Sequence, residues 1–112
     1  MHHMLRLAAA AGITVLNISA AFADDVKIYT LTLKDKTFTP SELKVPAGQA
    51  FMLEFSNENA APAELESSDL QIEKVAPGNS KITVRVKALE AGSYAFVDEF
   101  QEDDAKGVIV AE

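Results

Sequence analysis

The side chains able to do chemistry in this 112-residue chain are mostly carboxylates: seventeen Asp and Glu face ten Lys and Arg, and there is no cysteine. Glu64 and Glu66 flank Leu65, and if that piece is extended both acids lie on one face. Asp98, Glu99, Glu102, Asp103 and Asp104 crowd one later segment. Clustered carboxylates raise one another's pKa unless a lysine or a cation neutralises them. Their oxygens suit hard ions such as ferric iron, calcium, magnesium or manganese. The same acids also fit a plainer role as solvated charge on loops, and residue type alone leaves both readings open. Met52 alternates with core positions, so it is expected to face outward or the opposite sheet surface rather than to serve as a soft ligand.

The missing residues exclude more. Without cysteine there is no disulfide, thiolate metal site, iron–sulfur cluster or cysteine nucleophile. The two histidines, His2 and His3, sit in a stretch that reads as a secretory signal. Arg6 supplies its positive start, Leu7 to Ile18 its apolar run, and Ser19 to Ala23 the small residues a signal peptidase reads. Residues 1–23 are therefore expected to be removed after Ala23, with export to the periplasm and no membrane insertion of the remainder. Residues 24–112 would form one domain with neither His nor Cys. Ser–His–Asp and Cys–His catalysis and imidazole-held zinc, haem or copper are then excluded. Acid–base chemistry by carboxylates alone would remain, and the chain is not expected to be an enzyme. A formal charge of −7 argues against nucleic acid or anionic lipid as a partner.

The elements that must position these acids read as strands. Val26 to Leu33 alternates and is rich in β-branched residues; Leu43 and Val45 alternate into the turn Pro46-Ala47-Gly48. Phe51, Leu53 and Phe55 point one way, and Met52 and Glu54 the other. Short extended pieces follow at Glu64 to Ser68 and around Leu70, Ile72 and Val75. Ile82, Val84 and Val86 alternate with Lys81, Thr83, Arg85 and Lys87; Tyr94 and Phe96 lead into the acidic segment, and Gly107 to Val110 ends the pattern. No stretch keeps a helical period. Short strands separated by turns predict an all-β antiparallel sandwich of seven or eight strands.

Three runs carry a resemblance. Phe38 to Gly48, Phe55 to Pro62, and Gly92 to Phe96 with Gly107 to Val110 resemble the corresponding parts of cupredoxins. The resemblance implies a Greek-key sandwich with a metal site at one end, between the loop after Asn57 and the loop after Phe96. The blue-copper ligands are not present: Ala63 stands where a histidine commonly follows the loop proline, and Asp98 stands at the cysteine. The second histidine would fall near Gln101 and the methionine near Ala105 or Lys106. Blue copper needs a thiolate and two imidazoles, so no blue-copper centre is expected. The runs Pro62 to Ser67, Leu70 to Gly78 and Leu89 to Phe100 are similar to cupredoxin-like proteins that accompany bacterial iron permeases.

That narrower resemblance implies a periplasmic accessory of iron uptake. It would work beside a periplasmic iron-binding protein and a membrane iron permease, holding an iron or copper ion through Glu64, Glu66, Asp98 and Glu99, which match this group's acidic motifs, with Glu102 added as a candidate from the acidic cluster itself. The alternative is a metal-free cupredoxin-fold module that docks on a permease or periplasmic partner, for which an exposed apolar patch around Phe100 would speak.

Overall fold

A computed structural model describes residues 26–112. The expected signal at 1–23 lies outside the described residues. Nine strands run through the rest: β1 Lys27–Lys34, β2 Thr37–Thr39, β3 Glu42–Val45, β4 Phe51–Asn57, β5 Ala63–Ser67, β6 Ile72–Ala76, β7 Ser80–Val86, β8 Gly92–Asp98 and β9 Lys106–Ala111. One 3₁₀ turn, Glu99–Gln101, follows β8. No described helix is long and apolar enough to cross a membrane.

The strands form two sheets, ordered β2-β1-β4-β7 and β3-β9-β8-β5-β6. The count is nine rather than seven or eight because the stretch from Phe38 to Val45 splits: β2 pairs with β1 in one sheet and β3 with β9 in the other. That crossing lets β4 return beside β1 in parallel, the long connection of a Greek key. Leu70 falls in the turn between β5 and β6 rather than in a strand, and its N–H donates to Ser67 Oγ at 3.2 Å. Val75 faces solvent, because the buried face of β6 is set by Ile72 and Ala76.

Period two produces the core. Leu31, Leu33, Phe51, Leu53 and Phe55 from the first sheet meet Leu65, Phe96 and Ile109 from the second. Phe38 joins the layers: its ring lies 4.9 Å from that of Phe96, edge to face, and 6.2 Å from that of Phe55. Burying such a ring stabilises by about 2–3 kcal/mol. Gly107, opposite Phe96 in the β8–β9 ladder, has no side chain because a Cβ there would enter the Phe96 ring.

The loop after β4 is held by Asn57. Its side-chain amide donates to the carbonyls of Ala61, at 2.9 Å, and of Ala76 and Pro77, while its Oδ1 accepts the Asn59 N–H. One buried amide thus ties the β4–β5 loop to the end of β6 and places the start of β5.

Candidate metal centre at the β5–β8 end

Two carboxylate arrangements arise at this end, and they differ in kind. The first is a knot around Asp98, the last residue of β8 and fully buried. Its Oδ1 accepts the backbone N–H of Glu64 at 2.9 Å and that of Phe100 at 3.2 Å. Its Oδ2 accepts Gln101 Nε2 at 2.9 Å. The Asp98 N–H donates to the Ala105 carbonyl, and the Ala105 N–H to that of Gln101. A buried charge is tolerated only when it is hydrogen-bonded on this scale. Asp98 joins the start of β5 to the 3₁₀ turn, and both its oxygens are engaged.

The second arrangement is exposed. Glu64, Glu73 and Glu99 each place a carboxylate oxygen within 4.8 Å of the others. Alternation along β5 turns Glu64 and Glu66 outward on one face. Antiparallel pairing with β6 sets Glu73 directly opposite Glu66. The Asp98 knot fixes where the 3₁₀ turn leaves β8, and so brings Glu99 over the pair of strands. The hydrogen bond between Glu99 and Glu64 raises the Glu99 pKa above its ordinary 4.5, with desolvation and the charges of Glu64, Glu66 and Glu73 acting the same way. The clustered negative charge that raises the Glu99 pKa is what a bound cation would neutralise.

The five acids singled out from sequence separate into three groups. Glu64 and Glu99 come together; Glu66 lies beside them, bonded to Ser68 Oγ at 3.1 Å. Asp98 lies beneath them with its oxygens occupied by internal donors. Glu102 is outside the trio; it lines a shallow surface hollow with Lys36, Asp103, Asp104 and also Glu99, where Lys36 Nζ pairs with Asp104 at 3.1 Å. Glu73 completes the trio and was not among them. Its signal was the symmetry of the hairpin: a four-residue turn, Ser68 to Gln71, sets Glu66 against Glu73.

The positions at which the resemblance to cupredoxins would put copper ligands hold the carboxylate of Asp98, the amide of Gln101, the buried methyl of Ala63, and either the buried methyl of Ala105 or the exposed Lys106. With the carboxylate already satisfied, no cysteine in the chain and no histidine among the described residues, these residues do not fit a blue-copper ion. The outer trio offers oxygen donors only.

The sequence matches the Cupredoxin-like domain family over residues 6–111. It is 30% identical, over 87 residues, to an uncharacterized protein of Rickettsia prowazekii (strain Madrid E), covering 78% of this chain and 70% of that one. Among solved structures, it is similar to auracyanin A, a "blue" copper protein from Chloroflexus aurantiacus, with a TM-score of 0.64, 18% identity, and coverage of 76% and 98% of the two chains. The metal-binding domain of a Cu(I)-exporting P-type ATPase of Streptococcus pneumoniae D39 is also similar, with a TM-score of 0.61, 14% identity, and coverage of 78% and 94%. At these identities the two structures share the fold.

Proposed function

We propose, from the premise that the chain belongs to the cupredoxin-like domain family, that it is a periplasmic accessory of iron uptake, a carrier rather than an enzyme. It holds an iron ion through carboxylates at the β5–β8 end and hands it on. The observation that carries this reading is the convergence of Glu64, Glu73 and Glu99 oxygens within 4.8 Å. The described salt bridges, Lys36–Asp104 and Lys81–Glu54, leave the trio without a lysine partner. An all-oxygen donor set favours a hard ion such as ferric iron over cuprous copper. The periplasmic address rests on the signal-like residues 1–23. The partners, a periplasmic iron-binding protein and a membrane iron permease, rest on the resemblance of the runs from Pro62 to Phe100.

The test is a calorimetric titration of the purified protein with ferrous iron under anaerobic conditions, then with ferric citrate, copper(II), manganese and calcium. A saturable iron site lost in E64Q/E73Q/E99Q is expected. Affinity unchanged in the triple variant would sink the carrier reading, and ferrous-iron oxidation turned over by the protein alone would replace it with an enzymatic one.

One observation favours a second reading, a docking module without metal. Phe100 is 57% exposed on the 3₁₀ turn, next to Glu99. An apolar anchor rimmed by acids suits a partner with an apolar pocket and basic rim. In this reading F100S abolishes association with the purified permease, while the Glu-to-Gln triple variant leaves it intact in metal-free buffer.

A further inference from the structure

The two long sides of the sandwich are closed differently. On one side the chain passes directly from β2 to β3 and covers the seam between the sheets. On the other, the edge strands β6 and β7 face each other, joined only at one end by Pro77 to Asn79. Toward the opposite end the seam opens into a cleft of about 360 Å³. Its inner wall is apolar: Ile72 and Val84 are buried core residues, and Leu70 packs against that core half-buried.

The rim has the opposite charge to the rest of the molecule. Lys74, Arg85 and Lys87 all line the cleft, in a chain whose formal charge is −7. None of the three has a salt-bridge partner among the described residues. The single acid in the lining, Asp69, has its Oδ2 engaged by the Ala95 N–H at 3.2 Å. A cavity of this size lies at the small end of ligand sites, where an apolar wall supplies affinity and a few charges fix orientation.

We propose that the β6–β7 cleft binds a small soluble organic anion with an apolar body, its carboxylate held by Lys74, Arg85 and Lys87 and its hydrocarbon part lying on Leu70, Ile72 and Val84. Charge complementarity selects the anion, because three cations without a described salt bridge line this cleft on a protein of net negative charge. The apolar wall selects an amphiphile over a bare anion, which would leave that surface wet. An acidic strand adding to the β7 edge fits less well, since long basic side chains along an edge obstruct strand pairing. This site is separate from the carboxylate trio, and its test does not depend on metal binding.

The experiment is an amide chemical-shift titration of the ¹⁵N-labelled protein with sodium octanoate below its micelle concentration, beside octanol, sodium sulfate and an octapeptide of alternating Glu and Val. Saturable shifts confined to Ile72 to Lys74 and Val84 to Lys87 are expected, with octanoate tighter than octanol or sulfate by about tenfold or more. K74A/R85A/K87A alters exposed side chains only, and is expected to lose that advantage with the spectrum elsewhere unchanged; K74R/R85K/K87R is expected to keep it. Equal binding of octanol, equal binding of sulfate, tighter binding of the peptide, or shifts spread over the distant Lys27, Lys34 and Lys44 would each overturn the proposal.

Discussion

The carboxylate of Asp98 accepts the backbone N–H of Glu64 at 2.9 Å, across thirty-four residues of sequence. This bond joins β8 to β5 at the end of the sandwich where the resemblance to cupredoxins would put a metal, and it does so with an internal donor. Deleting the side chain would strand the N–H groups of Glu64 and Phe100 and the Gln101 amide. Asp98→Ala is therefore expected to destabilise by about 3 kcal/mol, whereas Asp98→Asn, which keeps an acceptor oxygen, costs about half as much. Urea unfolding midpoints of the two variants check this; equal losses would mean that the bonds are not what matters.

Glu99 makes stability depend on pH in a definite direction. Its hydrogen bond with Glu64 holds its pKa above 4.5 in the folded protein, and neighbouring carboxylates reinforce this. The folded state thus binds the Glu99 proton more tightly than the unfolded chain does. The stabilisation this confers is fully present below pH 4.5 and is lost as pH rises through the raised folded value. Glu99→Gln is expected to flatten that decline and to raise the melting temperature at neutral pH. Melting curves between about pH 4 and pH 8 provide the check, and an unchanged slope in the variant would contradict it.

Metal binding distinguishes the acids by position rather than by charge. Glu73→Gln removes one of the three converging oxygens and is expected to weaken iron binding by about tenfold or more. Glu102→Gln removes the same charge from a residue outside the trio, in the hollow shared with Lys36, Asp104 and Glu99, and is expected to leave the affinity within about twofold. Calorimetry on the two variants separates a site from a diffuse acidic surface, which would respond equally to both.

Gly78 is set by packing. A Cβ there would overlap the Ala60 carbonyl, in the loop that Asn57 holds against the end of β6. Gly78→Ala is expected to cost about 2 kcal/mol by forcing these segments apart. Gly48→Ala provides a contrast, since no atom lies within 4 Å of its Cβ position and only the backbone preference at φ +80° opposes it. Thermal unfolding of the pair should show Gly78 limited by space and Gly48 by conformation.

Most of the architecture was readable in the chain because strand identity is a local property. Alternation at Phe51, Leu53 and Phe55 and at Ile82, Val84 and Val86 assigned faces that the structure keeps. Proline and glycine marked turns, and the absence of cysteine excluded the thiolate that blue copper needs. The same local pattern could not divide Thr37 to Val45 between two sheets, because sheet membership depends on partners distant in sequence.

The acidic end shows the boundary most clearly. Sequence alone identified Glu64 and Glu99 as members of two carboxylate clusters and, through alternation, put Glu64 and Glu66 on a common face. Only tertiary structure brought Glu73 to them, through the β5–β6 register, and drew Asp98 inward to accept three hydrogen bonds. Composition and period specify which side chains are available and which face they occupy. Long-range pairing and burial decide which carboxylates meet, and which one is spent holding the fold together.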